Sequence, residues 1–255
     1  MTAPRVSIIT IVRNDRAGLE RTRASVGEQA FADREWILID GASTDSTAPL
    51  ALDLLAKGEA TGVSEPDRGI YDAMNKGLDR ATGDYVLFLN AGDRLLGPDS
   101  LATALDRIAQ AGSPDIAFFG SVMDFGDRRI ERPVKPPGYV WHGQPGLHQA
   151  TFFRRTLHIQ HRFGDRYKIC GDYDTLTRMS QAGAQMQSFP DIVGVNSFEA
   201  NATSGKHKMR LAREALEIQR VVLKLPMWKR ALSFGRRSVA SGVFKLLTTL
   251  RERRQ

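Results

Sequence analysis

The stretch from Glu65 to Asp93, EPDRGIYDAMNKGLDRATGDYVLFLNAGD, constrains this chain more than any other. Ile70, Met74, Leu78 and Ala81 recur every three or four residues, which predicts a helix with one apolar face. Thr82-Gly83-Asp84 is expected to end that helix, with Gly83 in the left-handed position past its last turn. Tyr85 to Leu89 is a continuous apolar run, the pattern of a parallel strand covered on both faces. It stops at Asn90-Ala91-Gly92-Asp93. Ligands in open α/β sheets bind beyond the carboxyl ends of the strands, so this acidic tip is where chemistry is expected.

The residues before it repeat the same plan. Arg5–Val12 reads as a strand ending at Arg13-Asn14-Asp15, and Ala17–Gln29 has helical spacing. Glu35–Ile39 is a second strand, ending on Asp40-Gly41-Ala42-Ser43-Thr44-Asp45, with a helix over Pro49–Lys57 and a short strand over residues 61–65. Alternating strands and helices predict a mostly parallel sheet with flanking helices. Asp40 and Asp93 both follow a strand's carboxyl end and are expected to face one crevice. Further on, Ser100–Gln110 is a helix, Asp115–Gly120 a buried strand, and Met123–Arg132 a hairpin strand with Asp127 near its turn. Four Pro and Gly residues at 133–138 predict a long loop over 133–147, a candidate substrate wall that carries Tyr139 and Trp141. Gln149–Arg154 is a strand preceded by His148. Thr175–Gln181 is helical with Asp174 as its expected N-cap, and two strands over 185–190 and 192–197 close the domain.

Several function classes fall away. The single cysteine, Cys170, excludes a disulfide framework and a cysteine-held zinc site, and reads as a small buried hydrophobe. Neither a signal peptide nor a run of about 18–20 apolar residues is visible, so a cytoplasmic protein is expected. The turn after the first strand lacks the G-x-G-x-x-G of dinucleotide-binding enzymes. The net charge of +7 suggests nucleic acid, yet residues 205–255 hold 14 Lys and Arg against three Glu, leaving the first 204 residues acidic. Without an aromatic-studded basic sheet, no nucleic-acid partner is expected.

Four blocks, SIITIVRN, ILIDGASTDST, SEPDRGIYDAMNKGLDRATGDYVLFLNAGD and GDYD, resemble in their order and spacing the family 2 glycosyltransferases of the GT-A fold. The nearest resemblance is to bacterial members that build exopolysaccharide or lipid-linked oligosaccharide chains, and it covers roughly residues 5–200. It implies a catalytic domain over 1–204 that moves a sugar, with inversion, from a nucleotide-diphosphate donor, UDP favoured, to a glycan hydroxyl in cell-surface polysaccharide biosynthesis. The resemblance places Asn14, Asp40, Asp67 and Arg68 beside the donor. A carboxylate such as Asp40 accepts bonds from imide N–H and ribose hydroxyl groups; the plainer alternative is that Asp40 and Ser43 merely cap the following turn. Arg68 would meet the diphosphate, or pair locally as a surface turn.

Asp93 falls at the family's metal-binding position, where Mn²⁺ or Mg²⁺ held by carboxylate oxygens neutralises the departing pyrophosphate. Asn90 and Gly92 replace the acidic residues commoner there, so Asn90 is left to help through its amide oxygen and His148 to reach metal or phosphate. Asp172 occupies the position of the catalytic carboxylate. Inverting transfer is one in-line displacement and needs one base for the acceptor hydroxyl proton. The competing class is a non-catalytic nucleotide-sugar-binding protein, against which the joint presence of Asp93 and Asp172 argues.

The remainder, 205–255, is expected to form C-terminal helices. Lys206–Leu225 has helical spacing and Pro226 should interrupt it. From Met227 onward, Leu232, Gly235, Val239, Val243, Leu246 and Leu250 fall within roughly 60° of Trp228, with Lys229, Arg230, Arg236, Arg237, Arg251 and Arg254 opposite. A basic amphipathic helix of this kind lies in a membrane interface, which would hold the domain beside a lipid-linked acceptor on the inner face of the cytoplasmic membrane. Packing on the catalytic domain or in a homo-oligomer, with a soluble acceptor, is the other reading.

Overall fold

The computed structural model describes residues 5–198 and 208–237. The N-terminal half is built as the alternation requires. Strand β1 (Val6–Val12) is flanked by β2 (Arg34–Asp40) on one side and β4 (Tyr85–Phe88) on the other, with β3 (Thr61–Ser64) outside β2, all parallel. Helices α1 (Arg16–Gly27), α2 (Thr47–Ala56) and α3 (Ile70–Arg80) make the connections. Every residue of β1 and β4 is buried, because helices cover both faces. The chain leaves β1 toward β2 and returns to β4 on its other side. The crevice beyond those carboxyl ends is therefore the switch point of the sheet.

Beyond β4 the sheet becomes mixed, in the order β3-β2-β1-β4-β8-β6-β9-β5, with β7 paired to β6. β8 (Thr151–Arg154) runs antiparallel to both β4 and β6 (Ile116–Asp124), and β7 (Arg129–Arg132) completes a hairpin with Asp127 in its turn. The two closing strands are in fact one, β9 (Met186–Ser197), parallel to β6. Its register slips opposite Phe119 and Gly120, and Pro190 sits in that bulge, where a missing N–H costs no ladder bond. A two-residue strand, β5 (Arg94–Leu95), is too short for a periodicity signal. It pairs antiparallel with the end of β9 and brings Asn196 and Ser197 against the tip of β4.

Other expectations change in detail. Gly83 does not sit at a positive φ. The helix stops because Ala81 turns extended, and Gly83 is needed for closeness: a Cβ there would lie 2.8 Å from the Ser7 amide nitrogen. The 133–147 segment is no open loop, since Pro137–Trp141 forms a 3₁₀ turn and Lys135 and Pro145 share a backbone bond. Helix α4 (Ser100–Gln110) forms as expected, and α5 (Arg155–Gln160) follows β8.

Helix α7 (Lys208–Val221) buries Ala215 and Ile218 against Tyr167, Cys170 and Tyr173. After Pro226 the chain is helical again over 227–237, and the rest of the expected amphipathic helix lies outside the described residues. Ser233 is fully buried against the domain and Arg237 donates to the carbonyl of His142, whereas Trp228 is 64% exposed and Met227 and Leu232 are exposed with it. Part of the basic face packs on protein, and the apolar face looks outward.

Gly77 on α3 crosses Ile9 of β1 at close range; a Cβ would come within 2.3 Å of the Ile9 Cγ2 methyl. Gly77→Ala is expected to destabilise the fold by about 1–3 kcal/mol despite the better helix propensity of alanine, as read by chemical denaturation.

Candidate functional site

The loops leaving β1 and β2 form one ledge at the switch point. Asn14, held at φ 53°, donates its backbone N–H to Ser43 Oγ (2.8 Å) and accepts from the Thr44 amide through Oδ1 (2.8 Å). Asp40 has no exposed surface; its carboxylate accepts from the Ser43 amide, from Ser43 Oγ at 2.5 Å and from Ser64 Oγ. In this conformation Asp40 therefore shapes the ledge from beneath. Asp67 receives the Gly69 amide at 2.8 Å and lies directly on Gly41, where a Cβ would meet its Oδ2 at 2.2 Å. Arg68 is 90% exposed and pairs with Asp72 at 2.8 Å, the local ion pair that was its plainer reading. Asn14, Asp40 and Asp67 are brought together, and Arg68 stands apart from them.

The second cluster follows β4. Asp93 is buried, with Oδ2 accepting from Gln149 Nε2 (2.9 Å) and Oδ1 from Asn196 Nδ2 (2.9 Å) and the Ser197 amide (3.1 Å). Burial nevertheless pushes its pKa up, against the lowering influence of His148 and those three donors. His148 opens a 3₁₀ turn (His148–Ala150) before β8 and bridges the site. Its Nε2 is 3.2 Å from Asn90 Nδ2, and its Nδ1 is 3.7 Å from Asp172 Oδ2. With the amide nitrogen as donor, the ring proton lies on Nδ1, toward the Asp172 carboxylate.

Asp172 is not on a turn or strand. Helix α6 (Gly171–Gln181) begins before it, at Gly171, so Asp172 occupies the first turn and Asp174 is no cap but pairs with Arg178 at 2.9 Å. The Asp172 carboxylate accepts from Gln144 Nε2 and from the Tyr173 amide, both at 2.7 Å. Burial alone would raise its pKa, but His148, Gln144 and Tyr173 together hold it below the usual carboxylate value. It is ionised at neutral pH.

The surroundings are tightly braced. A cavity of about 10 Å³ beneath Asp172 and His148 is lined by Met74, Phe88, Phe153 and Phe163. Tyr71 Oη donates to the Ile169 carbonyl (2.7 Å) and accepts from the Gly171 amide (2.9 Å). Its ring packs so closely on Gly171 that a Cβ would meet it at 2.5 Å, which explains the glycine that opens GDYD. Cys170 is buried, its thiol pushed up to about 12 by that burial. Another hollow, about 690 Å³ beside Arg23, Trp36 and Glu59, lies at the amino end of β2, the opposite edge of the sheet from the strand ends where ligands bind in such folds.

A divalent cation fits this cluster as a shared guest. Among the described residues no three His, Cys, Asp or Glu side chains form a cage of their own. Yet the amide oxygens of Asn90 and Gln149 are buried without a partner beside His148 and Asp93. Three donors on Asp93 also leave one of its roughly four lone-pair positions open. A carboxylate and two amide oxygens, joined by His148 Nε2 once the Asn90 Nδ2 donor leaves it, suit an ion that takes its remaining ligands from a diphosphate.

Tyr71, Gln144, Gln149, Asn196 and Ser197 went unread in the sequence. Only Gln149, next to His148, had a local signal. The others reach the site through contacts about 30 to 100 residues distant in the chain. Tyr71→Phe keeps the stacking on Phe163 but orphans the Gly171 amide and Ile169 carbonyl. It is expected to lower stability by about 1–3 kcal/mol in thermal or urea unfolding.

Known proteins share both sequence and fold. Residues 7–171 match the family described as Glycosyl transferase family 2. An uncharacterized glycosyltransferase of Mycobacterium tuberculosis is 40% identical over 161 residues, 61% of this chain and 61% of its own length. A PGL/p-HBAD biosynthesis glycosyltransferase of the same species is 30% identical over 91% of this chain and 94% of its own. Among solved structures, the mannosyltransferase PcManGT of Pyrobaculum calidifontis, in complex with GDP-Man and Mn²⁺, superposes with a TM-score of 0.68 at 19% identity, covering 99% of this chain and 81% of that one. S. aureus TarS with UDP-GlcNAc gives 0.64 at 15% identity, over 90% and 69%. The match over residues 7–171 and the near full-length relative place this chain, with its GT-A fold, in glycosyl transferase family 2.

Proposed function

We propose that the chain transfers a sugar, with inversion, from a nucleotide-diphosphate donor, a UDP-sugar by preference, to a hydroxyl of a lipid-linked glycan. The observation that carries this reading is Asp172: a part-buried carboxylate, kept ionised by three donors, beside His148. As the acceptor oxygen attacks the anomeric carbon, the bond to the nucleoside diphosphate breaks and the acceptor proton passes to Asp172. His148 steadies the resulting change of charge from the opposite side. Asn14, Asp67 and the 41–44 ledge shaped by Asp40 receive the nucleoside. Mn²⁺ or Mg²⁺, when bound, supplies the charge that stabilises the departing diphosphate; Asp93 and His148 would hold it, with Asn90 and Gln149 offering their free oxygens. PcManGT with GDP-Man and Mn²⁺, and TarS with UDP-GlcNAc, support a nucleotide-sugar donor.

Asp172→Asn is expected to cut turnover by roughly 10²–10⁴-fold while the thermal shift produced by nucleotide sugar and Mn²⁺ is kept. Unchanged turnover would remove Asp172 from the chemistry. Asp93→Ala is expected to lose the Mn²⁺-dependent part of that shift, and a full shift in the alanine variant would refute the metal assignment.

The acceptor side of the proposal rests on the outward apolar face of residues 227–237. Trp228, Leu232 and Met227 are exposed while Lys229 and Arg236 flank them, a face suited to an anionic lipid surface at the inner side of the cytoplasmic membrane. No helix of the described residues is long and apolar enough to cross a membrane. The full chain should float with phosphatidylglycerol-containing vesicles at low salt, and Trp228→Glu with Leu232→Glu should abolish flotation. If the unmodified chain ignores such vesicles and instead self-associates, this face is an oligomer surface and a soluble acceptor follows.

A further inference from the structure

The helix at 227–237 packs on the 133–147 segment through the face opposite its exposed apolar one. Ser233 Oγ lies 2.8 Å from His142 Nδ1 and accepts from Gln219 Nε2 at 2.8 Å. Gln219, fully buried on α7, also donates to the Trp141 carbonyl at 3.2 Å. Arg237 donates to the His142 carbonyl. These contacts seize the end of the 3₁₀ turn at Trp141–His142. One residue earlier, the Val140 carbonyl accepts from Tyr173 Oη at 2.7 Å, and two residues later Gln144 donates to Asp172. The turn is thus pinned to the catalytic helix by Tyr173, to the C-terminal helices by Gln219, Ser233 and Arg237, and delivers Gln144 onto Asp172.

The other side of Asp172 is held from the same helices. Glu214 on α7 is buried, and its carboxylate accepts from three consecutive amides, Lys168 (3.2 Å), Ile169 (2.9 Å) and Cys170 (2.9 Å), just ahead of Gly171. Burial opposes ionisation of Glu214, but these amides and Arg210 hold its pKa below the usual value, so the grip is charge-assisted at neutral pH. Both chain segments that present Asp172 and its donor therefore end on residues 208–237, beyond the stretch that matches the family.

We infer that Ser233 and Gln219, acting through His142, are positioning residues for the reaction: they set the turn that places Gln144 on Asp172. The inference rests on Asp172 being the base. Neither residue reaches the sugar or the diphosphate. Their effect is to fix the Gln144–Asp172 contact, and a small displacement there is costly because catalysis depends on near-attack geometry. The interface helix and the base share one mechanical joint, so the attitude of the domain on a surface and the shape of the acceptor wall are set together.

A double-mutant cycle on the full-length protein tests this. The readout is nucleoside diphosphate released from UDP-GlcNAc or GDP-mannose, whichever stabilises the protein more, with water as acceptor. Ser233→Ala and Gln144→Ala are each expected to lower kcat about tenfold, with KM for the donor changed less than about twofold, and the double variant to be no worse than the poorer single one. Ser233→Thr, which keeps the hydroxyl, should restore the rate. Should Ser233→Ala melt several degrees early, the cycle is run with Gln219→Ala, which removes the other hook. Independent, multiplying losses, or an unchanged kcat in Ser233→Ala, overturn the relay. Asp172→Asn run in parallel separates this from failure of the base assignment, since its retained activity would refute the base and leave the cycle to report on its own.

Discussion

A buried carboxylate that accepts donors from three directions ties the segment after β4 to the turn before β8 and to the end of β9. Asp93 follows β4 of the parallel half, yet its oxygens take Gln149 from the turn before β8 and Asn196 and Ser197 from the end of β9. Taking such a charge out of water is expensive unless its lone pairs are filled, and each filled pair is also a tie between segments far apart in sequence. The incomplete compensation is informative, because burial still raises the pKa of Asp93. Burial thus outweighs three donors at Asp93, while at Asp172 nearby Gln144, Tyr173 and His148 outweigh burial and keep the carboxylate ionised. The neighbours of both aspartates favour the charged form; burial outweighs them at Asp93 and is outweighed by them at Asp172.

What the sequence disclosed follows from this division. The parallel half was legible because β1, β2 and β4 are rich in apolar and β-branched residues and the helices between them carry apolar residues at helical spacing. Asp40, Asp93 and the ledge residue Asn14 could be placed at strand ends by counting. The mixed half was harder. β5 is too short to have a period, and β9 passes through Pro190, which reads as a break until the bulge opposite Gly120 is seen. The 133–147 segment carried loop residues but is folded by bonds to residues that follow it by up to about 95 positions. Asp174 looked like a cap because a carboxylate before a helical run usually is one; the helix in fact starts where Tyr71 needs a glycine, at Gly171. Pairwise contacts between distant segments leave no local pattern, and the site is made largely of such contacts.

The C-terminal helices illustrate a different difficulty. Composition set them aside as a basic appendage, yet α7 supplies Ile218 and Ala215 to a small core with Tyr173 and Cys170, and Glu214 to three backbone amides. Charge counting sees only that Arg and Lys outnumber Glu. It does not register that one Glu is buried and doing local work, or that Arg237 turns inward to a carbonyl while Trp228 turns outward. Amphipathicity defines two faces of a helix without saying which of them the protein covers.

The slip in β9 has a consequence for how this chain could change length. Phe118 stands opposite Ser188, but Ser121 stands opposite Gly194, so β9 spends six residues where β6 spends three. The surplus is odd. Because side chains alternate between faces, an odd surplus exchanges which face the later residues of β9 present. An insertion or deletion of one residue between Phe189 and Ile192 would reverse that parity and turn Asn196 away from Asp93. A change of two would keep the facing but slide Asn196 and Ser197 along the strand by about 7 Å. The number of residues separating Phe189 from Asn196 is thus a component of the site as surely as the aspartate it serves.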